Sequence, residues 1–444
     1  MQLELCDVAP ANWKRLPIAA VCQRFTSGGT PSRKMPHYFS GGTIPWVKTQ
    51  ELTDCVLTET NEYITEDAVR NSSAKLLPAN TVLMAMYGAT VGQLGVLARP
   101  MTCNQACAAM VANPSKCDYR FLYYQLLAAR EQIKSLSTGA AQQNLSGAQI
   151  KQFVLPFPAL TEQSEIAEVL WKIDRRIDLL RQTNATLESI AQALFKSWFI
   201  DFDPVRAKQA GREPEGMDAA TAALFPAEFE ESALGWIPKG WRICPFAETV
   251  NIIGGGTPKT SVTDYWGGDI PWFSVVDAPA VGQVFTVTTE KSVTKLGVDN
   301  SSTRILPKWT TIISARGTVG KLALTGVEMA MNQSCYGLTP RASGGETATY
   351  LAAQRLVEDL RRLAHGGVFD TITRDTLNSV LVCDPPPEII KAFDALTRPL
   401  FERILANGLQ SCSLTETRDT LLPRLISGKL RLPEAREQFD EATA

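Results

Sequence analysis

The chain has 444 residues, 45% of them hydrophobic and 20% charged, with a formal net charge of −2. Such a length suggests about two to four domains with substantial apolar cores. Without a run of about 20 apolar residues or a basic start followed by an apolar block, neither a membrane span nor a secretory signal is expected. Ten cysteines, with Cys103 and Cys107 four apart and no Cys-x-x-Cys pair, suit a reducing, cytoplasmic setting. The two histidines, His37 and His365, stand in no metal-ligand spacing, so no metal is expected. Charge is uneven: residues 1–160 carry +4 and residues 161–230 carry −5.

The chain repeats itself at an offset near 227. Gly28-Gly29-Thr30-Pro31 returns as Gly255-Gly256-Thr257-Pro258, and Gly41-Gly42-Thr43-Ile44-Pro45-Trp46 as Gly267-Gly268-Asp269-Ile270-Pro271-Trp272. Leu77-Pro78, Gly88-Ala89-Thr90-Val91-Gly92 and Asn104-Gln105 recur in the same order as Leu306-Pro307, Gly317-Thr318-Val319-Gly320 and Asn332-Gln333. Ordered recurrence of this kind marks a tandem duplication.

Each copy begins β-rich. Val82–Met86 and Thr311–Ala315 are short apolar runs closed by glycine, the pattern of buried strands. A helix is expected over Tyr119–Leu136 and again over Tyr350–Leu363. Short strands follow at Phe153–Leu155 and Val380–Val382, each running into prolines. These are α+β domains.

After each domain comes a heptad seam. Ile166, Leu170, Ile173, Ile177, Leu180, Asn184, Leu187, Ala191, Leu194 and Trp198 alternate steps of four and three. The second copy, from Phe393 to Leu425, keeps the register with more polar residues. Two such seams predict two long helices packed as an antiparallel coiled coil, with Asn184 fixing register. About 32 helical residues span roughly 50 Å. The expected organisation is a pseudo-twofold tandem repeat. It comprises a first domain over 1–160, a central helix over 161–203, a linker over 204–236, a second domain over 237–387, a distal helix over 388–428 and a tail over 429–444.

Catalytic signatures are near misses. Asp384-Pro385-Pro386-Pro387 lacks the aromatic that an adenine-methylating loop stacks on its flipped base. Gly317-Thr318-Val319-Gly320-Lys321 lacks the glycine spacing and following hydroxyl of a phosphate loop. No catalytic residue, nucleotide cofactor or metal ligand is therefore assigned to this chain, and the duplicated organisation points to recognition.

Leu194-Phe195-Lys196-Ser197-Trp198-Phe199-Ile200-Asp201-Phe202-Asp203-Pro204-Val205 resembles the central region of specificity subunits of type I restriction-modification systems. So do Leu234-Gly235-Trp236-Ile237-Pro238 and Arg418-Asp419-Thr420-Leu421-Leu422-Pro423-Arg424-Leu425. The resemblance covers essentially the whole chain. It implies two target-recognition domains, each reading half of a gapped double-stranded DNA site, with the coiled coil setting their separation. It also implies two methyltransferase subunits that use S-adenosylmethionine to methylate adenine N6, and two restriction subunits that use ATP and Mg. The alternative is an orphan DNA-binding or scaffold protein without restriction partners.

Polar loop side chains able to reach base edges or phosphates are the DNA-binding candidates. In the first copy these are Thr30, Ser32, Arg33, Lys34, Lys48, Tyr87, Thr90, Gln93, Gln142, Gln143 and Asn144. In the second they are Thr257, Lys259, Thr260, Arg316, Thr318, Lys321, Thr371 and Arg374. Trp46 and Trp272 are expected to be packing aromatics. Phe195, Trp198, Phe199 and Phe202 crowd one stretch and are candidates for docking a methyltransferase subunit, with core packing as the competing reading.

Overall fold

The computed structural model describes residues 9–137, 144–280, 282–341, 344–363 and 371–443. The chain divides into two compact units, Met1–Ile177 with Ser413–Ala444, and Asp178–Cys412.

In the first unit, a five-stranded sheet runs in the order Cys22–Ser27, Cys107–Ala112, Val82–Ala85, Leu94–Leu97, Cys55–Leu57. Its pairings are antiparallel except the last. Val82–Ala85 is buried at every position, which explains its unbroken apolar run: a strand covered on both faces shows no alternation. A three-stranded sheet, Tyr63–Ile64, Ile44–Val47, Thr102–Cys103, lies in the same unit. Val47, Leu52, Leu83 and Ala109 belong to one core cluster. Lys14–Pro17 pairs with Val154–Phe157 in a separate ribbon.

The second unit repeats this topology. Its five strands run Val250–Gly254, Cys335–Pro340, Thr311–Ser314, Leu322–Thr325, Phe285–Thr286. Its three are Lys291–Val293, Trp266–Phe273, Ala330–Met331, and its ribbon pairs Arg242–Pro245 with Leu381–Asp384. The duplication read from short motifs is thus a duplication of strand order.

The long helices are Leu160–Phe199 and Pro387–Ile426. Each unit contains its own antiparallel stretch of the pair. In the first unit, Ile166, Leu170, Ile173, Leu421 and Leu425 are buried. Arg418 Nη1 donates to Asp174 Oδ1 at 2.9 Å, and Asp174 Oδ2 also accepts the Tyr124 hydroxyl at 2.6 Å. Trp171 is ringed edge-on by Tyr119, Tyr123 and Tyr124 at 6.0–6.3 Å, which docks the domain's helix on the long one. In the second unit, Asn184 and Asn407 are both buried, and Asn407 Nδ2 donates to Asn184 Oδ1 at 2.8 Å. Asn184 Nδ2 donates in turn to the Ile404 carbonyl at 3.2 Å. The register role expected of Asn184 therefore has a specific partner.

Several boundaries differ from expectation, each for a tertiary reason. The helix expected over Tyr119–Leu136 is two helices, Tyr119–Ala128 and Arg130–Ser135, because Ala129 leaves helical geometry at φ −86°, ψ 3°. The break sets the Arg130 guanidinium on the Asp54 carboxylate. The helix expected from Tyr350 starts at Glu346. Its buried N-terminal donors, which have no partner within the helix, are met from another element: Asp394 Oδ1, on the second long helix, accepts the Thr347 N–H at 2.9 Å and hydroxyl at 2.7 Å. The first long helix stops at Phe199, short of 203. Phe202 takes a left-handed φ of 56°, and a new helix, Asp203–Gln209, begins with Pro204 in its first turn. The stretch read as a linker holds the helix Ala219–Ala223 and a hairpin of Phe229–Ser232 with Gly235–Pro238. The stretch read as a tail holds the helix Leu432–Thr443.

The docking expectation for Phe195, Trp198, Phe199 and Phe202 is corrected. Trp198, Phe199 and Phe202 are only 3%, 6% and 8% exposed, and Phe195 is partly buried. Trp198 and Phe199 lie 5.4 and 5.0 Å from the Phe393 ring, Phe195 lies 5.9 Å from it, and Phe202 lies 5.6 Å from Trp241. The reversal at Phe202 folds Phe225 and Trp241 back over the helix end, so apolar area that a lone helix would expose becomes core.

Candidate nucleic-acid interface

The paired glycines exist because two backbones meet there. A Cβ on Gly28 would lie 2.0 Å from the Cys103 carbonyl oxygen, and one on Gly255 would lie 1.9 Å from that of Asn332. Gly29 and Gly256 press on Ser73 and Ser302, which a Cβ would meet at 2.3 and 2.4 Å. Only glycine allows such an approach. The Trp46 indole donates to the Gly29 carbonyl at 3.0 Å and Trp272 to the Gly256 carbonyl at 3.0 Å, both buried. The two tryptophans are packing groups, as expected.

These loops align the polar residues that follow them. Thr30 Oγ1 donates to the side-chain oxygen of Gln105, and Thr257 makes the same bond to Gln333. Asn104 and Asn332 accept from the backbone two residues on, at 3.1 and 3.0 Å, turning each Asn-Gln loop. The next loop is tied alongside: Met86 N–H donates to Ala106 O at 2.8 Å, and Leu145 N–H to Met86 O at 2.9 Å. An isolated bridge then joins Tyr87 to Asn144. In the second unit Ala315 bonds Ser334, Ile372 bonds Ala315, and the bridge joins Arg316 to Thr371. Each unit therefore carries one connected set of loops with different side chains on the same backbone framework.

The structure brings Thr30, Tyr87 and Asn144 into one such set and Thr257, Arg316 and Thr371 into the other. Ser32 and Lys34 are exposed beside Thr30, and Lys259 and Thr260 beside Thr257. Thr90 bonds the Tyr87 carbonyl at 3.4 Å, and Gln93 is half-buried in the turn after it. Thr318 and Lys321 are exposed around a turn in which Ser314 Oγ donates to Thr318 O at 2.6 Å and accepts the Lys321 N–H at 2.8 Å. Arg374 reaches the Ile252 carbonyl at 3.2 Å, on the strand leading into the glycine loop. Gln142 and Gln143 lie outside the described residues.

Sequence reasoning missed Glu62. Its Oε2 accepts from Arg33 at 2.5 Å and its Oε1 from Lys48 at 2.7 Å. Lys48, and then Arg33, hold this carboxyl below its usual range. Nothing local in the sequence signals the contact, because Arg33 and Glu62 belong to different loops. Gln105 and Gln333 stand out in the sequence only as part of a repeated pair; their shared bonds to Thr30 and Thr257 are tertiary. Among the described residues no cluster of three or more His, Cys, Asp or Glu could hold a metal ion, and no helix is long and apolar enough to cross a membrane.

Comparison with known proteins gives a consistent result. The family model described as "Type I restriction modification DNA specificity domain" matches twice, over residues 10–189 and 238–406. The Type I restriction enzyme HindI specificity subunit of Haemophilus influenzae is 30% identical over 322 residues, covering 63% of this chain and 70% of that protein. The MjaIX specificity subunit of Methanocaldococcus jannaschii is 25% identical over 435 residues, 96% of this chain and 95% of the relative. A type I restriction-modification S subunit from M. genitalium superposes with a TM-score of 0.59 at 16% identity, covering 93% of this chain and 96% of that one, a likeness of fold.

Proposed function

Starting from the fact that the chain belongs to the type I restriction-modification DNA specificity family, we propose that it is a sequence-reading subunit without catalysis of its own. Each domain reads one half of a gapped double-stranded DNA target, and the paired long helices set the gap. Methylation of adenine N6 and restriction fall to partner subunits, two methyltransferases and two restriction-translocases, working in the cytoplasm. S-adenosylmethionine, ATP and Mg act in those partners.

The observation that carries this reading is the repeated loop framework. Two domains share strand order, glycine approach and Thr–Gln bond, yet offer Tyr87 and Asn144 in one and Arg316 and Thr371 in the other. A shared framework fixes position on the duplex, while differing side chains choose bases. The test is a genome-wide map of N6-methyladenine in host cells with and without the gene. Loss of one split motif on deletion supports the proposal; an unchanged map overturns it.

A further inference from the structure

We propose that Arg33 is a guanine-reading residue of the first domain, held in its reading orientation by Glu62 and Phe39; this rests on the DNA-recognition reading above. Three contacts fix the Arg33 guanidinium. Its Cζ lies 4.3 Å from the centroid of the Phe39 ring and 5.3 Å from that of Trp46, and Nη2 is 2.5 Å from Glu62 Oε2. Trp46 is itself locked by its bond to the glycine loop. The arginine remains 56% exposed at its side chain, where an ion pair adds little stability. Holding an exposed, rotamer-rich side chain this firmly makes sense if its orientation is used.

The donor count agrees. A guanidinium has five N–H donors, and the hydrogen bond to Glu62 spends one of them. A fork with free donors matches guanine O6 and N7, and its planar geometry presents both bonds at once. The fork also lies by sequence three residues from Thr30, whose Gln105 bond joins it to the loop set of Tyr87 and Asn144. Glu62 also holds Lys48, through its other oxygen, Oε1, at 2.7 Å, so the two cations do not compete for one atom.

The device is confined to one copy. Glu62 bonds opposite Trp46, and the residue opposite Trp272 is Lys291. At the 227-residue offset Arg33 becomes Thr260. The second domain cannot build the same reader, so the effect of Arg33 belongs to one half-site.

The experiment is motif mapping by N6-methyladenine sequencing of a randomised DNA library, using the chain assembled with type I methyltransferase subunits. With Arg33→Ala, discrimination at one G·C pair of one half-site is expected to fall roughly 5- to 150-fold, with the other half-site unchanged. Arg33→Gln, whose amide pairs with adenine rather than guanine, gives the same loss. Glu62→Gln relaxes the same position partially. Wild-type discrimination retained by Arg33→Ala overturns the inference, as does equal weakening at every position with unchanged melting temperature. If Arg33→Ala does not fold, Arg33→Gln alone decides by the same criterion. A wild-type complex that yields no split motif refutes the broader functional proposal instead, before any variant is compared.

Discussion

Replacing the buried asparagine pair between the long helices probes whether polar contacts there set register at the expense of stability. Asn184 and Asn407 are 5% and 3% exposed and joined at 2.8 Å. Asn407→Leu removes the donor and leaves Asn184 Oδ1 buried without its partner. Leaving a buried polar atom unpaired costs about 1–3 kcal/mol, which cancels most or all of what the added apolar side chain contributes. Asn184→Leu strands the Asn407 amide in the same way. The double variant, Asn184→Leu with Asn407→Leu, removes both orphans and buries two leucines at heptad positions, so it is expected to be at least as stable as the original chain. The cycle should give a coupling of about 1–3 kcal/mol, because neighbours sharing one bond do not add. Urea unfolding followed by far-ultraviolet circular dichroism measures it, provided the m-value stays constant across the four proteins. Additive effects, with each single leucine stabilising, would refute the claim that the amides depend on each other. The double variant should also discriminate less sharply between half-site spacings, since the buried amides no longer penalise a shifted register and the Arg418–Asp174 pair is left to do so.

Gly28→Ala should destabilise the first unit by more than about 2 kcal/mol, since its Cβ would sit 2.0 Å from a backbone oxygen; a melting curve unchanged from the parent would contradict the close approach. Asp174→Leu strands the buried Tyr124 hydroxyl and leaves Arg418 to Asp419 alone, which should cost about 1–3 kcal/mol by chemical denaturation. Burial pushes the Cys22, Cys335 and Cys383 thiols up to about 12, whereas Cys412 is exposed. Iodoacetamide in mildly basic buffer, near the ordinary thiol range of about 8.5, should therefore modify Cys412 early and these three slowly, and Cys412→Ser should remove one fast equivalent by mass spectrometry. A thiol pKa raised by folding contributes stability that is present below the usual thiol range and lost as pH rises toward 12, so base should unfold the protein as these groups ionise.

The duplicated motifs, the apolar strands and the two heptad seams were legible in the sequence because each is a local pattern imposed by burial on one face or two. The glycine pairs were legible too, although their reason, two backbones in contact, was not. What the sequence could not determine is where an element borrows from another. Asp394 caps a helix that begins 48 residues before it, at Glu346, so no local signal marks that start. Phe202 adopts a left-handed turn and thereby turns an aromatic run from apparent surface into core. Asn184 was visible as a polar residue in an apolar seam, but its partner Asn407 is fixed only by how the helices pair. Glu62 joins Arg33 and Lys48 across separate loops. Periodicity records which face of an element is covered; it carries no record of which distant side chain does the covering, and that choice belongs to the tertiary structure.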